Sequence, residues 1–191
     1  GNEVPTSAII FMKPDTALLP KGENFTIPSF TNDLHFEGEL VLRVSKQGKN
    51  LAAQHPNGIP VIEYCDAISV GIDFTARDLQ QKLKDKGLPW EKAKAFDGSA
   101  VIGEFLPKNQ FSSLENITFE LKTNNTTVQK SNSSFMLWKI DELISYVSQF
   151  FTLKIGDIIF TGTPEGVAAV KPNDVLEGYL EGQQLFRIQV K

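Results

Sequence analysis

Residues 37–44 read Glu-Gly-Glu-Leu-Val-Leu-Arg-Val, an alternation that suits an extended strand. Leu40, Leu42 and Val44 fall on one face, and Glu37, Glu39, Val41 and Arg43 on the other. A helix would scatter both sets around its axis, so this segment commits the chain to a sheet. More strands follow. Residues 117–121 lead to an Asn124-Asn125 hairpin turn. GDIIF (156–160) and the stretch from Asn173 to Val190 supply several more short strands with Gly turns. Two helices interrupt them. One takes Thr75 as its N-cap, carries Asp78 at the third position and Leu79 and Leu83 one turn apart, and stops at Gly87. The other begins near Asp141 and sets Leu143, Ile144, Val147, Phe150 and Phe151 on one face. A strand-rich chain with two or three short helices is α+β, its sheet curled into a roll.

Composition narrows the class. A length of 191 residues fits one domain over 1–191, burying roughly 70% of its unfolded surface. Hydrophobic residues at 41% and charged residues at 22% exclude a disordered chain. A net charge of −4 without a Lys/Arg cluster argues against a nucleic-acid partner. No apolar run approaches the ~20 residues that span a bilayer, and no secretory signal opens the chain, so no membrane partner is expected. The single cysteine, Cys65, cannot form an internal disulfide and suits the reducing cytoplasm as a buried apolar filler. Asn-x-Ser/Thr triplets at Asn24, Asn116, Asn124, Asn125 and Asn132 read as products of an Asn- and Thr-rich composition.

Three segments can carry chemistry. On a strand, Glu37 and Glu39 point to the same side about 7 Å apart, unfavourable unless a positive charge lies between them. Either an oxygen-loving divalent ion supplies that charge, or the pair lines the solvent face of an edge strand. Asp73 closes the apolar stretch Ile68–Ile72 just before the first helix, as a third ligand or as a turn residue. Arg77 and Gln80 share a helical face near that helix start, where they can form a carboxylate-binding edge or stay solvated. TGTPEG (161–166) follows the strand GDIIF and lets backbone approach a ligand closely, but it lacks the G-K-[ST] ending of a phosphate loop. His35 and His55 have no Ser or Cys partner at a diagnostic spacing, and His35 reads as structural.

Taken in order, FMKPDTAL (11–18), LHFEGELVLRV (34–44), GIDFTARDLQ (71–80), KGLPWEKAKAFDGSAVIG (86–103) and GDIIFTGTPEGV (156–167) resemble the fumarylacetoacetate hydrolase family. The likeness covers nearly the whole chain and is strongest to the small acylpyruvase and fumarylpyruvate hydrolase type, which includes oxaloacetate decarboxylases. It implies a mixed β-roll, a homodimer, and Glu37, Glu39 and Asp73 as ligands of Mg²⁺ or Mn²⁺. It also implies that Arg77, Gln80, Lys94 and Thr163 line the pocket of a small 2-keto acid, with Lys94 as a catalytic cation. The implied reaction is hydrolytic cleavage of the C–C bond of an acylpyruvate through a metal-bound pyruvate enolate. Oxaloacetate decarboxylation and isomerisation of a 2-hydroxy-dienoate use the same kind of site. In the family a His and a Glu upstream of the K-P motif activate the attacking water, and Gly1–Pro14 lacks that stretch. The general base, on a lid segment, is therefore expected upstream of Gly1. The competing class is a non-enzymatic Ca²⁺-binding β-domain, favoured by acidic pairs, sequons and strands. The lone cysteine, the missing secretion signal and the five motifs oppose it.

Overall fold

The structure, a computed structural model, describes residues 7–54 and 63–191. His55 therefore lies outside the described residues. In chain order the elements are β1 (Leu34–Phe36), β2 (Gly38–Val44), α1 (Leu51–Gln54), β3 (Cys65–Asp73), β4 (Thr75–Ala76), α2 (Arg77–Asp85) and α3 (Glu91–Lys94). They continue with β5 (Ala100–Ile102), β6 (Leu106–Pro107), β7 (Thr118–Thr123), β8 (Thr126–Asn132), α4 (Ile140–Phe150), β9 (Ile158–Phe160), β10 (Ala168–Ala169), β11 (Val175–Leu180) and β12 (Gln183–Gln189).

Three sheets form the strand-rich α+β roll expected from the sequence. Their orders are β5-β3-β2-β9 with β6 also on β3, β12-β11-β7-β8, and β10-β1-β4. Among the described residues the strands pair antiparallel. Parallel contacts occur at the single bridges Leu18–Ala100 and Phe25–Val190. β2 and β3 lie against β7 and β11. Leu40, Leu42, Ile68, Val70 and Ile72 meet Phe119, Leu121, Leu176, Leu180 and Ile188 in one buried core. The far face of β2 is buried too, so Glu39 and Val41 are shielded from solvent and β2 is no half-exposed edge.

The hairpin turn is where the sequence puts it. Asn124 and Asn125 both take positive φ, 51° and 64°, as a type I′ turn requires. Several sequon asparagines are structural: the Asn124 carboxamide bonds Asp174 and the Val175 amide, and the Asn132 side chain accepts from the Ser134 amide.

Both helices differ from expectation in detail. Thr75 is no N-cap; it pairs with His35 in β4, and α2 starts at Arg77. Other partners replace the cap: the Asp33 carbonyl accepts the Arg77 amide and Asp78 Oδ1 the Leu79 amide, while Asp78 also ties the helix start to Thr31 Oγ1 and the Asn32 amide. The stop at Gly87 is as expected. Its φ is +62°, and the Gly87 and Leu88 amides return to Lys84 and Leu83 in a Schellman closure. On α4 the buried strip is Ile140, Ile144 and Ser148, with Leu143 and Val147 half-buried beside it. Phe150 lies two positions past Ser148, about 200° round the helix, so it is 56% exposed instead of sharing the core face. Phe151 is likewise exposed, because the helix ends at Phe150 and the chain leaves it extended.

Candidate active site

Strand register builds the site. Glu39 pairs with Gly71 across the β2–β3 ladder, and the Asp73 amide donates to the Glu37 carbonyl at 2.9 Å. Facing residues of a ladder share a side of the sheet, so Glu37, Glu39 and Asp73 all project away from the main core. One carboxylate oxygen from each lies within 4.8 Å of the other two, and all three residues are buried. Gly71 makes this register possible: a Cβ there would stand 2.4 Å from the Val101 carbonyl oxygen and 2.8 Å from Val41.

Cationic groups ring the triad. Lys94, 3% exposed at the end of α3, donates through its ammonium to Glu37 Oε2 at 2.6 Å and Asp73 Oδ2 at 2.7 Å. It also stands 5.1 Å from the centre of the Phe11 ring. Arg77, opening α2, donates through Nη2 to Glu37 Oε1 at 2.6 Å and through Nη1 to Gln80 Oε1 at 2.8 Å. Arg77, half-buried, and Gln80, buried, therefore act together on the helix face turned to the triad. Lys13 completes the ring, 2.8 Å from Asp73 Oδ1 and 2.8 Å from Ser99 Oγ, and donating to the Lys94 carbonyl. Each Asp73 oxygen thus faces an ammonium, Lys13 on Oδ1 and Lys94 on Oδ2.

The three cations act unevenly on the carboxylates. Burial works to raise the Glu37 carboxyl, but the charges and hydrogen bonds of Lys94 and Arg77 outweigh it and hold Glu37 below its usual range. Glu39 is touched by neither; burial, then the charges of Asp73 and Glu37, push it up to about 8. Its Oε2 accepts the Gly162 amide at 2.6 Å, which opposes that rise only in part. Burial depresses Lys94 as well, yet Asp73 and Glu37 together keep it above the ordinary lysine value. Lys13 goes the other way, because its burial exceeds what Asp73 returns.

The second wall is the loop after β9. Thr163 Oγ1 donates to the Gly38 carbonyl at 2.9 Å and accepts from Gln129 Nε2 at 2.9 Å. The hydroxyl proton is thus committed, and toward a ligand Thr163 offers a lone pair. The structure brings Glu37, Glu39, Asp73, Arg77, Gln80 and Lys94 into one connected cluster, with Thr163 bonded beside it to Gly38. His35 stays outside that hydrogen-bond network, its Nε2 2.8 Å from Asp33 Oδ1. Cys65 is buried, and burial pushes its thiol up to about 12, as an inert filler requires.

Sequence reasoning passed over Lys13, Ser99, Gln129 and the Gly162 amide. Lys13 had a signal, a lone basic residue after the apolar run Ile9–Met12 and just before Pro14. Gln129 had one too, since it faces Leu121 across the hairpin where the alternation calls for an apolar side chain. Hard oxygen donors in a buried, like-charged cluster fit a divalent cation of the Mg²⁺ or Mn²⁺ kind.

A strand-rich roll carrying a carboxylate triad at one register is the architecture to which the whole sequence also points. The sequence matches the family model Fumarylacetoacetate (FAA) hydrolase C-terminal over residues 1–191, and the chain belongs to the fumarylacetoacetate hydrolase family. The bovine (Bos taurus) mitochondrial oxaloacetate tautomerase FAHD1 is 36% identical over 187 residues, covering 98% of this chain and 82% of that protein. Oxaloacetate tautomerase YcgM of Escherichia coli (strain K12) is 37% identical over 186 residues, covering 97% and 83%. Among solved structures, fumarylpyruvate hydrolase from Pseudomonas aeruginosa, in complex with Mn²⁺ and pyruvate, superposes with a TM-score of 0.85. It is 34% identical and covers 94% of this chain and 77% of that one.

Proposed function

We propose that this chain is a divalent-metal-dependent enzyme that interconverts the keto and enol forms of a small 2-keto acid, oxaloacetate first. The observation that carries this is the buried carboxylate triad ringed by Lys13, Lys94 and Arg77. When the three carboxylates are ionised, as ligands must be, the three cations match them. A divalent ion then leaves two positive charges in surplus, which a dicarboxylate cancels and a monocarboxylate only halves. The relatives named oxaloacetate tautomerase support the same choice.

Glu37, Glu39 and Asp73 would hold Mg²⁺ or Mn²⁺, whose Lewis acidity stabilises negative charge on a substrate oxygen. Lys94 places an ammonium where that charge develops. Arg77, backed by Gln80, holds a substrate carboxylate and fixes its pose. Thr163, its proton spent on Gly38, accepts from an enol hydroxyl. The span 1–191 acts as one catalytic domain, and we keep the homodimer and the cytoplasm as parts of this reading. Among the described residues no helix is long and apolar enough to cross a membrane.

A second reading, C–C bond hydrolysis of acylpyruvates, is favoured by the likeness to fumarylpyruvate hydrolase. Decarboxylation needs the same stabilised enolate without an activated water. A Ca²⁺-binding module fits poorly, because three cations inside the cluster oppose the all-oxygen cage that Ca²⁺ prefers. The deciding experiment supplies the Mn²⁺- or Mg²⁺-loaded protein with oxaloacetate, acetylpyruvate and fumarylpyruvate in parallel. Loss of the enol absorbance of oxaloacetate, faster than without protein, is expected. Turnover of none of the three overturns the enzymatic reading.

A further inference from the structure

We propose that Gln129 is a positioning residue that locks the acidic strand to the Thr161–Gly166 loop through its buried carboxamide; this rests on reading Glu37, Glu39 and Asp73 as a metal centre. Gln129 is 2% exposed, on β8, with its side chain on the core side opposite Leu121. A carboxamide that deep destabilises the fold unless it is bonded, and this one is bonded at both ends. Oε1 accepts the Gly38 amide at 2.8 Å. Nε2 donates to Thr163 Oγ1 at 2.9 Å and to the Pro164 carbonyl at 3.1 Å, and it reaches the Glu165 carbonyl at 3.4 Å. Only one orientation of the amide fits, since an NH₂ group cannot face the Gly38 N–H and its oxygen cannot face two carbonyls.

The bonds close a ring. The Gly38 amide donates to Gln129, Gln129 donates to Thr163, and Thr163 donates back to the Gly38 carbonyl. Gly38 is the residue between the two glutamates, so holding its peptide groups aims both carboxylates. One residue before Thr163, the Gly162 amide sits on Glu39 Oε2. A Cβ on Gly38 would lie 2.9 Å from Gln129 Oε1, so a side chain there would press the carboxamide out of its place. Partners that orient metal ligands commonly contribute about 10- to 100-fold in metal affinity or activity.

Gln129→Met keeps the bulk and removes the amide. The full chain is compared with wild type by calorimetric Mn²⁺ titration and by hydrogen exchange. Expected are Mn²⁺ binding weakened about 10- to 100-fold and faster exchange in 158–167, with α4 unchanged. A purely structural role would lower the melting temperature and leave both readouts alone; a folded variant with Mn²⁺ affinity within about twofold and unchanged loop exchange overturns the proposal. Gln129→Glu keeps the acceptor for Gly38 but turns a carboxylate oxygen on the loop carbonyls, and should free the loop in the same way. If neither variant folds, Thr163→Val opens the same ring from the loop, and unchanged exchange there overturns the clamp. A wild type that takes up no Mn²⁺ overturns the metal reading instead, while the exchange comparison still decides the clamp.

Discussion

Lys94 occupies the gap between Glu37 and Asp73, within 2.7 Å of both, where a bound ion would have to compete with it. Lys94→Met leaves two buried carboxylates without their shared cation, and breaking such a pair typically costs about 3–5 kcal/mol. The metal-free variant should melt well below wild type, while Mn²⁺ binds at least as tightly because its competitor is gone. Oxaloacetate turnover should fall by about 10²-fold or more with the loss of a charge aimed at the developing anion. Calorimetric titration and steady-state kinetics on one preparation check both halves. Glu39 behaves differently. Its folded value of about 8 lies above its unfolded value, so the folded state holds this proton longer. Stability from this group is full below the unfolded value and falls as pH rises toward about 8. Glu39→Gln should therefore raise the melting temperature of the metal-free protein, by more at pH 8 than at pH 5. Thermal scans across that range test the sign, and an equal gain at both pH values would refute it.

At the level of elements, alternation made β2 and the Asn124-Asn125 hairpin legible, because period-two patterning and positive-φ asparagines are local signals. Asp73 at the end of β3 was legible as a strand end, but its meeting with Glu37 depends on register, which no local pattern encodes. The start of α2 was misread for a related reason. Thr75 has the chemistry of a cap, yet strand pairing with His35 takes it, and the carbonyl of Asp33, far off in sequence, accepts the first amide of the helix. The roles of Lys13 and Gln129 carry no local pattern because their partners lie 34 or more residues away in sequence. On α4 the two apolar faces make a direct contrast. Ile144→Ala, at a fully buried position, should destabilise by about 2–5 kcal/mol. Phe150→Ser, on the exposed side, should cost only about 1 kcal/mol, the worth of its edge-on contact with Tyr146. Urea denaturation of the two variants would show whether the buried strip is the one described.

Across the whole molecule, the core between the two larger sheets lies on one side of β2 and the acidic cluster on the other. Metal binding to the triad, as proposed above, should then stabilise the fold by mass action without building it. Mn²⁺ at about 100 times its dissociation constant should add about 2.7 kcal/mol, or roughly 5–10 °C in melting temperature for a chain of this size. Chelation should reverse that gain and leave circular dichroism unchanged at 25 °C. The cations inside the cluster carry this further, into the life of the protein in a cell. An acidic pocket that brings its own counter-charges lets a newly made chain fold, survive quality control and wait. Loading of the proposed metal centre would then be a late and reversible event, governed by whichever ion the surroundings supply at that moment. On the reading proposed above, the ion this chain carries would thus follow its present surroundings rather than its history.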